Sequence, residues 1–179
     1  MPKITADIQA RLEQVQLLLL DVDGVLTDGG IIYNAAGEEI KRFHVKDGLG
    51  IRLLMETGIR VGIITGRRSP ALTHRLNNLG IELVLDGIHD KAAALTDITA
   101  RVGVDNRHIS FLGDDLPDLP VMKRVGLAVA VADACYEVKE SAHMITAAGG
   151  GKGAVRELCE AVLKAKGLWE GILERFLTS

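Results

Sequence analysis

No apolar run in the chain is long enough to cross a bilayer. The longest, residues 15–20 around Gln16, falls far short of the roughly 20 residues a spanning helix needs. Charge of one sign is also missing: 21 basic and 24 acidic residues leave a net −3, which argues against nucleic acid or an anionic membrane as partner. A local basic pocket stays compatible with that balance. The N-terminus has no basic segment leading into an apolar core and a small-residue cleavage site, so no secretion signal is expected and the cytoplasm is the expected location. Cysteine is scarce. Cys135 and Cys159 stand too far apart for a metal-type pair and read as idle thiols in a reducing compartment. Repeats, low-complexity tracts and linkers are absent as well, so one domain over residues 1–179 is expected.

What is present is a repeated grammar of short β-rich run, polar or glycine loop, and helical pattern. Strands are predicted at 17–21, 60–65, 82–85, 108–112, 127–131 and 144–146, and helices near 49–57, 70–78, 91–102, 116–124 and 153–166. Strands alternating with helices imply an α/β, Rossmann-like three-layer fold with a mostly parallel sheet. Ser69-Pro70 reads as a helix cap followed by proline at the first helical position, with Gly80 at the far end. Asp90 and Gly103 bracket the next helix in the same way. Residues 30–45 break the grammar: two extended segments around Asn34-Ala35-Ala36-Gly37 predict a projecting β-hairpin. Two terminal stripes at helical spacing, Ile4/Ile8/Leu12/Val15 and Leu168/Trp169/Ile172/Leu173/Phe176/Leu177, read as core packing or as a surface for a second subunit.

Chemistry concentrates at the carboxyl ends of the predicted strands, where open α/β sheets bind ligands. The first strand ends in Asp21-Val22-Asp23-Gly24-Val25-Leu26-Thr27-Asp28, and two carboxylates so close repel unless a hard cation such as Mg²⁺ relieves them. The second ends in Thr65-Gly66-Arg67-Arg68, a hydroxyl with open backbone and fixed positive charge. The third leads through Asp86-Gly87-Ile88-His89-Asp90 to Lys91 at a helix start, an anion-favouring position. The fourth ends in Gly113-Asp114-Asp115, with Asp118 one turn on. Gly149-Gly150-Gly151-Lys152 suggests a phosphate loop only weakly: Thr146 holds the first glycine position and Gly153 replaces the hydroxyl, so a glycine-rich helix start explains it.

With these motifs the chain resembles the haloacid dehalogenase superfamily of phosphatases over nearly its whole length. The resemblance implies that Asp21 attacks phosphorus to form an aspartyl phosphate and that Asp23 protonates the leaving oxygen and later deprotonates water. It implies phosphoryl contacts from Thr65 and Lys91, Mg²⁺ on Asp21, Asp114 and the backbone carbonyl of Asp23, and an orienting role for Asp115 and Asp118. The superfamily's dehalogenases lack the second acid. Only 41 residues separate Asp23 from Thr65 and 25 separate Thr65 from Lys91, which leaves no room for a large cap domain.

The capless pattern, with Phe43-His44-Val45-Lys46-Asp47-Gly48-Leu49-Gly50, Ile64 through Pro70 and Gly150-Gly151-Lys152-Gly153-Ala154-Val155-Arg156-Glu157, is similar to the 3-deoxy-D-manno-octulosonate 8-phosphate phosphatase family. That likeness implies a homotetramer whose hairpins meet and whose subunits complete one another's sites, acting in lipopolysaccharide precursor synthesis. It implies substrate contacts at Asp23, His44, Val45, Lys46, Asp47, Gly48, Arg52, Arg67, Arg75 and Lys91, cations suited to a ligand with phosphate and carboxylate. The terminal segment departs from the family's polar tail, being short and amphipathic. Two rivals carry less. A phosphatase of a sialic-acid-type 9-phosphate shares the motifs, and a phosphoryl-accepting receiver would place its acceptor aspartate mid-chain.

Overall fold

The computed structural model describes residues 4–178. In chain order its elements are α1 (Ala6–Gln14), β1 (Leu17–Leu20), β2 (Ile32–Tyr33), β3 (Glu39–Ile40), α2 (Val45–Glu56), β4 (Arg60–Ile64), α3 (Pro70–Leu79), β5 (Leu83–Leu85), α4 (Lys91–Val102), β6 (Ile109–Gly113), α5 (Leu119–Met122), β7 (Leu127–Ala130), α6 (Tyr136–Ser141), β8 (Met144–Ile145), α7 (Ala154–Ala165) and α8 (Trp169–Thr178). Six strands form one parallel sheet in the order β5-β4-β1-β6-β7-β8. The four leucines of β1 and all four residues of β7 are buried, as strands covered on both faces must be. Among the described residues no helix is long and apolar enough to cross a membrane.

The sheet order fixes where a ligand can sit. From β1 the chain steps to β4 and β5 on one side, then returns to β6 on the other. The loops after β1 and β6 therefore diverge at a topological switch point, where such sheets open a crevice. Asp90 caps α4 by accepting from the backbone N–H groups of Ala92 and Ala93, each at 3.0 Å. Gly80 and Gly103 end α3 and α4 in the left-handed conformation the caps require. Ser69 does stand before Pro70, but its hydroxyl makes no capping hydrogen bond.

Several boundaries differ from the sequence reading. α2 begins at Val45, four residues before the expected start, so Gly48 lies inside the helix rather than ahead of it. Gly50 lets α2 run close to α7: a Cβ there would stand 3.1 Å from the Arg156 Cα. The helix expected over 116–124 is a 3-10 turn, Leu116–Asp118, leading into the four-residue α5. Pro117 and Pro120, which cannot donate, account for the short pieces. The hairpin is present as β2 and β3, its turn closed by Asn34 Oδ1 accepting from Ala36 and Glu38 N–H at 2.9 Å each. Its strands leave Ile32, Tyr33 and Ile40 about half exposed. Ile8 and Leu12 of the first terminal stripe lie on α1 and all of the second but Leu168 on α8, whereas Ile4, Val15 and Leu168 flank the helices. Ile4, Leu168, Leu173, Phe176 and Leu177 stay exposed.

Candidate active site

The loop after β1 winds tightly around one carbonyl. Val22 O accepts from the N–H groups of Val25, Leu26 and Thr27 at 2.9–3.2 Å, which throws Asp21 and Asp23 to the crevice side. Gly24 has φ 86°, and a Cβ on it would lie 2.0 Å from Asp114 Oδ2, so this loop touches the acidic loop after β6 directly. Asp21, Asp23, Thr65, Arg67, Lys91, Asp114, Asp115 and Asp118 line one cleft of about 440 Å³.

Inside the cleft, buried Lys91 carries the positive charge. Its Nζ lies 3.0 Å from Asp21 Oδ1 and donates to Asp118 Oδ1 at 2.7 Å. Burial opposes the ammonium, but Asp21 and Asp118 outweigh it and hold its pKa above the ordinary lysine value. The carboxylates feel the reverse. Burial first, then Asp118, pushes Asp21 up to about 6 against the pull of Lys91. Burial and the neighbouring Asp21, Asp118 and Asp115 push Asp114 up to about 8.

One oxygen each from Asp21, Asp114 and Asp118 lies within 4.8 Å of the others. Asp118 is already occupied: Lys91 takes Oδ1, and the N–H groups of Asp114 and Asp115 take Oδ2 at 2.8 and 3.3 Å. Asp115 caps the 3-10 turn through Leu116 N–H at 2.8 Å. Asp114 Oδ1, by contrast, is buried with no hydrogen-bond partner among the described residues. An orphaned carboxylate oxygen facing a second carboxylate fits a hard oxygen-seeking cation, so the residues present suit Mg²⁺.

Seven of the ten expected substrate contacts fall into two sets, and His44, Lys46 and Asp47 line neither cavity. Asp23, Arg67 and Lys91 line the cleft. Val45, Gly48, Arg52 and Arg75 line a separate pocket with Leu49 and Leu79. There the Arg75 guanidinium sits 5.8 Å from the Phe43 ring centroid, and burial and then the Arg52 charge lower its pKa. Arg52 donates to Asn78 O at 2.6 Å. Lys46 is exposed. Asp47 points into neither cavity: it is 1% exposed, and its Oδ1 accepts from Arg156 N–H at 2.7 Å at the start of α7. His44 Nδ1 stands 3.8 Å from the other Asp47 oxygen. Within one chain, then, the two sets do not meet.

The glycine loop before α7 holds no room for a phosphate. A Cβ on Gly150 would fall 1.8 Å from Gly24 O, and one on Gly151 2.6 Å from Asp28 N. Gly151 N–H donates to Val25 O at 2.9 Å and Gly150 N–H to Asp133 Oδ1 at 2.8 Å. The loop braces the segment carrying Asp21 and Asp23. Sequence reasoning missed that brace and also missed Lys41, which follows β3 and reaches Asp23, and Glu39 of β3, which pairs with Lys41.

Fold and site together define a haloacid dehalogenase-like hydrolase, and residues 82–157 match the family model of that description. The chain is 44% identical over 164 residues to the 3-deoxy-D-manno-octulosonate 8-phosphate phosphatase KdsC of Escherichia coli K12, covering 92% of this chain and 87% of that protein. The crystal structure of the Yersinia pestis phosphatase superposes with a TM-score of 0.91 at 45% identity, over 93% of this chain and 90% of that one. A Moraxella catarrhalis phosphatase of the same name, solved with a magnesium ion, a phosphate ion and a KDO molecule, gives 0.93 at 40% identity, over 95% and 98%. The chain belongs to the 3-deoxy-D-manno-octulosonate 8-phosphate phosphatase family.

Proposed function

We propose that the protein is a Mg²⁺-dependent phosphomonoesterase that converts 3-deoxy-D-manno-octulosonate 8-phosphate to the free sugar acid and phosphate, a step in lipopolysaccharide precursor synthesis. The observation that carries this reading is the convergence of Asp21, Asp114 and Lys91 on one cleft. Asp21 attacks phosphorus and becomes an aspartyl phosphate, which divides a hard step into two. Asp23 gives a proton to the leaving sugar oxygen and then takes one from the water that frees Asp21. Lys91 and Thr65 hold the phosphoryl oxygens, and Asp118 keeps the ammonium in place. Asp21, Asp114 and the Asp23 carbonyl would hold Mg²⁺, whose charge, when bound, lets both carboxylates ionise together and draws charge from the phosphoryl group.

A panel of 3-deoxy-D-manno-octulosonate 8-phosphate, a sialic-acid-type 9-phosphate and an unrelated sugar phosphate, read by released phosphate with Mg²⁺, tests the reading. We expect kcat/KM for the first to exceed the others by about tenfold or more, a difference of roughly 1.4 kcal/mol in transition-state binding. Equal or inverted preference removes the substrate assignment; no release from any removes the activity.

The same reading includes a homotetramer in which His44, Val45, Lys46, Asp47, Gly48, Arg52 and Arg75 serve a neighbouring cleft, Asp47 by fixing the start of α7. It is supported by the half-exposed Ile31, Ile32, Tyr33 and Ile40 of the hairpin, and by the separation of the arginine pocket from the cleft within one chain. Light scattering at assay concentration is expected to give the mass of four chains. A fully active monomer would remove the shared site.

A further inference from the structure

The hairpin brings two ionisable side chains against the cleft. Lys41 follows β3, and only 3% of its side chain is exposed. A buried ammonium is costly unless matched. Here Asp23 Oδ1 accepts a charge-assisted hydrogen bond from Lys41 Nζ, and Glu39 Oε1 lies 3.4 Å from the same nitrogen. Glu39, itself 10% exposed, also accepts from Arg67 Nη2 at 2.8 Å. Arg67 Nε then stands 3.6 Å from Asp23 Oδ2, too long for a hydrogen bond. Asp23, Lys41, Glu39 and Arg67 thus close a ring of alternating charge. Burial pushes Glu39 up, but the neighbouring Ser69 hydroxyl, Arg67 and the Lys41 charge hold it below its ordinary value. Glu39 is therefore a standing anion that keeps Lys41 in place.

The ring treats the two oxygens of Asp23 differently. Oδ1 is held by Lys41, whereas Oδ2 is shielded and has no hydrogen-bond partner among the described residues. We propose that Lys41 is a positioning residue for proton transfer by Asp23, fixing the rotamer in which the Asp23 carboxyl meets the leaving oxygen. The inference rests on the roles given above to Asp21 and Asp23. As the Asp21–phosphorus bond forms, the bond from phosphorus to the leaving oxygen breaks, and that oxygen takes the proton from the Asp23 carboxyl. When water splits the aspartyl phosphate, a proton of that water returns to the Asp23 carboxylate, and phosphate departs with Asp21 restored.

A tether that merely fastens the hairpin, or a lysine that binds the sugar, would occupy the same place. The dependence on leaving group separates the three. Lys41→Met and wild type are compared with Mg²⁺ on p-nitrophenyl phosphate, phenyl phosphate and a simple alkyl phosphate, in order of poorer leaving groups and with no sugar. A good leaving group needs little proton donation; an alkoxide needs it fully. We expect Lys41→Met to lose about 10²-fold or more in kcat/KM on the alkyl ester, within the range general acids contribute. The loss on p-nitrophenyl phosphate is expected to be at least about tenfold smaller, steepening the dependence on leaving-group pKa. Lys41→Arg, which keeps the charge, should restore part of the alkyl activity, and thermal melts should show both variants folded. Equal losses on all three esters overturn the proposal in favour of a tether. An unchanged series with a raised KM for the phosphosugar overturns it in favour of substrate binding. If wild type shows no Mg²⁺-dependent turnover of any ester, the reading of Asp21 and Asp23 fails first.

Discussion

Asp21→Asn is expected to abolish phosphate release, by about 10⁴-fold or more, as loss of an attacking group does elsewhere. The carboxamide matches the carboxylate in shape but is neutral and does not form the aspartyl phosphate. The fold should survive. Lys91 keeps Asp118 at 2.7 Å as its counter-charge, and the amide oxygen can still accept from it. Burial and Asp118 raise the Asp21 pKa to about 6, so its ionised form costs the fold stability at pH 8, and the variant should melt no lower than wild type in chelator at that pH. Phosphate release and a thermal melt check both halves. Retained turnover in a folded Asp21→Asn would dismiss Asp21 as the nucleophile.

Removing Mg²⁺ should act on stability as well as on activity, in a pH-dependent way. In the free protein Asp21 and Asp114 have folded pKa values of about 6 and about 8, raised from 3.8. Groups raised on folding hold protons more tightly in the folded state, so their contribution favours folding at low pH. It declines as pH rises above about 4 and reaches its minimum once both are ionised, above about 8. In chelator the melting temperature is therefore expected to fall by several degrees between pH 6 and pH 8.5. With Mg²⁺ the cation replaces the protons, so the fall should shrink and the ion's stabilising increment should grow with pH. Because binding displaces a proton from Asp114, apparent Mg²⁺ affinity should rise by up to about tenfold per pH unit over pH 6–8. A Mg²⁺ increment independent of pH, measured by melts or calorimetry, would place the ion away from Asp114.

The parallel sheet and the four motif loops were legible because their signals are local. Four consecutive leucines before Asp21 read as a strand buried on both sides, and Asp90 and Gly103 bracket α4 as their chemistry requires. What escaped depended on tertiary neighbours. Gly48 looks like a loop residue until Arg75 is seen crowding it. Asp47, placed with the substrate contacts by resemblance, meets the start of α7, 109 positions away. Lys41 reads as a surface lysine until the hairpin folds back onto Asp23. The glycines at 150 and 151, read as a helix start, do lead into α7, but their packing on the backbone of the segment carrying Asp21 and Asp23 depended on tertiary neighbours.

That last contact has a practical consequence for redesigning the enzyme. Gly24, Gly150 and Gly151 form a seam in which a methyl group would collide with backbone atoms or with Asp114. Libraries that diversify these three positions to alter selectivity should return mostly inactive clones, since each added carbon displaces the segment bearing the two aspartates. Variation is better spent on the exposed face of α2 at Val45, Lys46 and Arg52, where side chains can change size without moving the reactive groups.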